Sequence, residues 1–304
     1  MNGPEDLRAV PLRHPGRWVA LAVIGVLVAM FVNMVLTNKA FQWSFMFDHM
    51  FAPPVLEGVR TTLLLTVYSM VIGVALGIVL GVMRLSPNPV ISAVAWVYTW
   101  FFRAVPRLVL AILFGNLGIL FDRIEIGLPF DDQLLRLVGV HGNAAIWGAD
   151  ANDFLRGFKA GLLALALSEA AYMAEIVRAG IMSVDAGQTE AAQALGMPRG
   201  LTMRRIVLPQ AMRVIVPPTG NETIAMLKDT SVVAYVPVIN ELFFQLQAVG
   251  ARTFQVFPML VAACLWYVAM SSVLMVGQYF LERRFSRGVA STARTRARLI
   301  GGSH

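Results

Sequence analysis

Apolar residues gather along this chain into long runs separated by short polar and charged segments. Runs near or above about 18 residues read as helices that cross a bilayer. They place spans near 18–36, 57–83, 90–120, 157–181, 207–229 and 256–281. Two of these are interrupted: Arg103, Pro106 and Arg107 break the third, and Arg213, Pro217, Pro218 and Glu222 break the fifth. Such breaks are tolerated where a helix faces protein or a watery cavity rather than lipid. The first run follows Arg8, Arg13 and Arg17, as the core of a signal peptide does. It is longer than the usual core of about 7–15 residues and no small-x-small cleavage site follows, so it reads as a retained span.

Composition agrees with the pattern. Of 304 residues, 57% are hydrophobic and only 14% charged, against roughly a quarter charged in soluble domains. The net charge of +7 is compatible with a nucleic-acid partner, but the basic residues hug the ends of apolar runs. That placement fits topology control and anionic lipid headgroups better than it fits nucleic acid. With the N-terminus inside, segments 1–17, 84–89, 182–206 and 282–304 hold thirteen basic residues, and 37–56, 121–156 and 230–255 hold five. Both ends are therefore expected in the cytoplasm. The longest outside segment, 121–156, also carries Asp122, Glu125, Asp131, Asp132, Asp150 and Asp153. Cys264 is the only cysteine, which excludes a disulfide framework, and the histidines at 14, 49, 141 and 304 are too scattered for a metal cluster.

A faint echo recurs at an offset of 99 residues: Gly58, Arg60, Leu63, Leu64 and Ser69 match Gly157, Lys159, Leu162, Leu163 and Ser168 in kind. Both segments are expected to enter from the outside, as in an internal repeat.

The segment after the fourth span carries the most information. Asp185 suits a helix start, Gln188 to Leu195 are mostly helix formers, and Gly196 suits a left-handed closing position. Pro198 can open a second short helix bearing Arg204 and Arg205, with Pro209 marking its end. The spacing predicts a short helix–turn–helix on the cytoplasmic face, and Ala191, Ala192 and Ala194 let a partner backbone come close. On spacing alone it is equally an ordinary loop with amphipathic helices.

Glu190-Ala191-Ala192, then Gly196, then Ile206-Val207-Leu208-Pro209 resembles the EAA signature of ABC importer permeases. Further stretches resemble the polar amino acid permeases: Leu56-Glu57-Gly58, Thr62-Leu63 and Leu65-Thr66; Phe101-Phe102-Arg103 with Pro106; Ala170 to Ile176 with Arg178 to Ile181; and Pro217-Pro218, Gly220-Asn221-Glu222 and Leu227 to Ser231. They span roughly residues 50–240. The resemblance implies a second permease, identical or related, two cytoplasmic ATPase subunits and an extracytoplasmic binding protein for an amino acid. Segment 185–209 becomes the coupling element, with Glu190 offered to a partner arginine, Gly196 making the tight turn, and Ala191, Ala192, Arg204 and Pro209 completing it. No Gly-Lys-Ser/Thr phosphate loop surrounds Lys39, Lys159 or Lys228, so ATP and Mg are expected on the partner ATPases and no cofactor on this chain.

Ionisable groups inside spans are costly and usually paired. Glu175 and Arg178 lie three apart on one helix face and can pair locally. Glu169 stands where the family often has a small or polar residue. Facing a cavity, its carboxylate can hold the side chain of a cationic amino acid; the plainer expectation pairs it with Lys228 or Arg103. Tyr172, Asn221, Glu222, Lys228 and Asp229 complete the expected substrate-binding set.

The expected fold is all-α, a polytopic membrane helical bundle of the type I ABC importer kind, with five core spans after one N-terminal span. Residues 1–17 form the cytoplasmic N-terminus, 18–282 the transmembrane permease domain and 283–304 an Arg-rich cytoplasmic tail. The expected function is a non-enzymatic transport subunit of the bacterial inner membrane that moves a polar amino acid, a basic one where Glu169 meets the substrate, by alternating access. A secondary transporter or channel leaves the EAA segment unexplained. An intramembrane enzyme lacks converging nucleophile and base within the spans.

Overall fold

A computed structural model describes residues 15–120, 122–127, 146–151, 156–236 and 240–285. Arg8 and Arg13, most of segment 121–156 and the tail beyond 285 lie outside the described residues.

Helix α1 (Pro15–Thr37) is apolar around its whole circumference and stands apart from the bundle, the pattern of a helix facing lipid. Its far end is held where Trp43 Nε1 donates to the Val35 carbonyl at 3.0 Å. Trp43 opens the short α2 (Trp43–His49).

The bundle is built on α3 (Pro53–Arg84) and α6 (Phe158–Met182). A stripe of small residues on α3, including Gly73, Gly77 and Gly81, is buried against α6. A Cβ on Gly73 would lie 2.6 Å from Glu169 Cγ and one on Gly81 2.9 Å from Val177 Cγ1, while one on Gly77 would overlap Met173. Without side chains in the way the two backbones approach closely, the packing that serves helix association in lipid, where apolar burial gives no drive. Successive glycines meet successive turns of α6 in the same direction, so the two helices are parallel, as two segments entering from one side must be.

Between them the chain departs from expectation. Segment 90–120 is not one straight helix: α4 (Pro89–Ala104) and α5 (Arg107–Gly115) meet at 98° across Val105 and Pro106. Proline offers no N–H to continue the α4 ladder, and it pushes the preceding residue, Val105, into extended backbone at ψ 128°. Tyr98 ties α4 to the core by donating to the Leu167 carbonyl at 2.9 Å. A two-stranded antiparallel ribbon, β1 (Arg123–Ile126) with β2 (Trp147–Asp150), follows α5 and adds a small β element to the all-α expectation.

After α6 come α7 (Ala186–Ala194), α8 (Arg199–Thr202), a π turn over Met203–Val207, and α9 (Leu208–Asp229). Pro209 does not end the second short helix. It sits in the first turn of α9, where its missing N–H costs nothing, and the widened turn before it accommodates the ring against the Arg205 carbonyl. Among the described residues four helices, α1, α3, α6 and α11 (Val256–Phe285), are long and apolar enough to span alone, and the bent α4–α5 pair makes a fifth if it crosses as one broken span. α9 fills the expected fifth core position, but it carries Arg213, Glu222, Lys228 and Asp229 and is too polar to join them.

A hub that no sequence pattern announces closes one end of the bundle. Glu241 is fully buried and caps α10 (Leu242–Thr253), accepting from Phe243 N at 2.7 Å. Thr62 Oγ1 on α3 donates to it at 2.8 Å and Tyr267 on α11 at 2.5 Å. Burial pushes its carboxyl above the ordinary carboxylate range, and these hydrogen bonds pull it partly back. Glu241→Ala should cost about 3 kcal/mol, from a lost cap and two stranded hydroxyls. Thermal melting of the purified complex checks this, with Glu241→Gln expected to lose less because it keeps an acceptor.

Candidate functional site

Four of the six expected substrate-binding residues converge on a residue outside that set. Arg107, the first residue of α5, is aimed by the Pro106 bend into the space between α6 and α9. Its Nη2 donates to Glu169 Oε2 at 2.9 Å, its Nη1 pairs with Asp229, and Glu222 lies 3.8 Å away. Glu222 and Asp229 are two helical turns apart and share one face of α9. Tyr172, one turn beyond Glu169 on α6, lies under the Arg107 guanidinium, 4.8 Å from ring centroid to Cζ. Glu169 is fully buried, and among the described residues its Oε1 has no hydrogen-bond donor. Three carboxylates thus share one guanidinium.

The expected pairing of Glu169 with Lys228 or Arg103 is not what forms. Lys228 is one residue from Asp229, so it is turned about 100° around α9. With Asn221 it lines a separate cavity of about 330 Å³ between α9 and α11, beside Gln278 and Glu282. Gln278 donates to the Pro217 carbonyl at 2.9 Å, and Gly220 leaves the room for that contact. Arg103 lies over the Tyr172 ring at 5.7 Å. Arg107 had registered in the sequence only as a break in an apolar run; its position directly after a span-breaking proline is the signal that marks it.

Glu175 and Arg178 pair as their spacing predicts, at 2.8 Å, and Arg84 of α3 joins them at 3.4 Å.

The 185–209 knuckle follows its local rules. Asp185 Oδ1 accepts from Gly187 N at 2.7 Å, and Gly196 takes φ +81°, a backbone that favours glycine. Glu190, Ala191, Arg204 and Pro209 are exposed, and Ala192 is buried within the knuckle. Leu195 projects with 84% of its surface free. A groove of about 250 Å³ runs beside them, lined by Val184, Thr189, Gln193 and Met203.

Comparison with known proteins supplies the class to which this geometry belongs. Residues 73–287 match the family described as "Binding-protein-dependent transport system inner membrane component". The chain belongs to this family of importer permeases. The permease is 44% identical over 293 residues to the arginine transport system permease protein ArgU of Corynebacterium glutamicum, covering 96% of this chain and 87% of that one. It is 31% identical over 246 residues to the nopaline transport system permease protein NocM of Agrobacterium fabrum, covering 79% and 93%. Its structure superposes on a chain from the crystal structure of an amino acid ABC transporter with histidines, with TM-score 0.59 and 32% identity, over 77% of this permease and 95% of that chain. The permease is thus a transport subunit of the ABC importer class, not itself catalytic, in a multi-pass helical fold.

Proposed function

We propose that this permease carries a basic amino acid inward across the bacterial inner membrane, through the Glu169–Glu222–Asp229 cluster. The observation that supports the cargo is the charge of that cluster: three carboxylates around Arg107, with one oxygen of a fully buried Glu169 left without a donor. A guanidinium or ammonium side chain supplies the missing charge and the missing N–H. The arginine relative agrees in sign. In this reading Tyr172, beneath Arg107, lines the pathway beside the cluster, while Asn221 and Lys228 line a second wall of the pathway.

The rest of the assembly follows the family. Two such permeases pair, two ATPase subunits bind ATP and Mg and seat the knuckles, and a binding protein delivers cargo from outside. Both termini are cytoplasmic, and the basic ends of the spans rest against anionic lipid. ATP-driven closure of the ATPases rocks the bundles, exposing the cluster first to one side and then to the other.

Uptake of radiolabelled L-arginine by proteoliposomes containing the complete importer tests this. Glu169→Gln should weaken uptake about thirtyfold, the loss of one charge-assisted hydrogen bond. Unchanged uptake would remove Glu169 from the pathway.

A further inference from the structure

Two groups of opposite sign near Tyr172 have hydrogen-bonding capacity to spare among the described residues. On one side is Glu169 Oε1, buried and without a donor. On the other is Arg103, exposed and, among the described residues, engaged only with the Tyr172 ring at 5.7 Å and electrostatically with Glu175. Glu175 is already served by two other cations, Arg178 at 2.8 Å and Arg84 at 3.4 Å. Around Glu175 the charge therefore runs to an excess of cations (Arg84, Arg103 and Arg178), the reverse of the cluster around Arg107.

Glu169, Tyr172 and Glu175 follow at three-residue steps, each turned about 60° from the last, so neighbours touch while the row winds slowly around α6. The row is polarised: carboxylates in excess at the Glu169 end, guanidinium groups in excess at the Glu175 end, and an aromatic ring between them. A basic amino acid is polarised the opposite way, with a cation at the tip of a methylene chain and a carboxylate at its root.

We propose that Arg103 is a specificity residue that binds the substrate's α-carboxylate, while Glu169 Oε1 takes the cationic side chain and Tyr172 lies along the methylene chain between. This rests on the basic-amino-acid reading above and goes beyond it by assigning the second end of the ligand. Arg103 suits the part: an exposed, planar guanidinium with no hydrogen bond to a carboxylate among the described residues can present two parallel N–H groups to a substrate carboxylate.

The test is direct binding of radiolabelled L-arginine to the detergent-purified permease–ATPase complex without its binding protein, with agmatine as competitor. Agmatine keeps the guanidinium and lacks the carboxylate. In the wild type it should compete about thirtyfold more weakly than L-arginine, the worth of one charge-assisted hydrogen-bonded pair. Arg103→Gln should bring L-arginine down to the level of agmatine and leave agmatine unchanged, and Arg103→Lys should restore part of the preference. Equal competition by the two ligands in the wild type overturns the assignment without needing any variant. An Arg103→Gln complex that weakens both ligands alike, or keeps the preference, also overturns it. A wild-type complex that binds neither probe overturns the basic cargo, and this assignment with it.

Discussion

Arg107→Gln is expected to destabilise the assembled importer by about 3–5 kcal/mol, the cost of breaking a buried ion pair and leaving its partner charge uncompensated. Arg107 is half of a pair whose other member, Glu169, has no exposed surface, and it also holds Asp229 and faces Glu222. Removing the guanidinium leaves three carboxylates crowded together in a span. The double variant Arg107→Gln with Glu169→Gln should recover a substantial part of the loss, because it removes the most deeply buried of the stranded charges. The melting temperature of the purified complex reads both. Equal melting of the single variant and the wild type would mean that the cluster is solvated and that Arg107 is not its counter-ion.

Gly77→Leu is expected to prevent α3 and α6 from closing, with a loss of about 3 kcal/mol or more from overpacking. Even a methyl group at this position overlaps Met173, and neighbouring backbone atoms of Ala170 and Ala174 lie at 3.1 Å from the same point. Because those atoms are backbone, no rotamer change relieves the clash. Gly25→Leu is the control: nothing lies within 4 Å of a Cβ there, and the helix that carries it faces outward. The yield of monodisperse complex after detergent extraction should collapse for the first variant and hold for the second. Similar yields would show that the glycine stripe is not a close-packing seam.

How far each element was legible follows from the range of the forces that set it. α1, α3, α6 and α11 are visible as apolar runs because a bilayer imposes length and composition locally. The knuckle is visible because Asp185, Gly196 and Pro198 act on backbone within a turn of themselves. At Pro106 the interruption is legible but the sharp bend is not, because apolar residues continue on both sides and the composition of 90–120 still suggests one span. Pro209 was misread as a stop because a proline suits either side of a helix boundary, and only the π turn before it decides which.

The candidate site was half legible. An ionisable residue within a span is a signal in itself, and that signal found Glu169, Glu222 and Asp229. The partner was not found, because Arg107 lies 62 residues from Glu169 and 122 from Asp229, and no local rule connects them. Asn221 and Lys228 were grouped with the cluster by sequence proximity, whereas the helical rotation of α9 carries them to another wall. Gly73, Gly77 and Gly81 counted simply as members of an apolar run, although their spacing of four is the signature of a close helix seam. Glu241, in a polar connection, gave no sign that three helices would bury it.

The most direct measurement concerns the knuckle. With exposed Cys264 replaced by serine, Glu190→Cys supplies a single reactive thiol at residue 190 of α7. A short bifunctional cross-linker in inverted membrane vesicles should join that thiol to the ATPase subunit in high yield. A membrane-impermeant maleimide applied to intact cells should leave it unlabelled. Labelling from outside, or no adduct with an ATPase that co-purifies with the chain, would contradict a cytoplasmic docking element and the importer mechanism built on it.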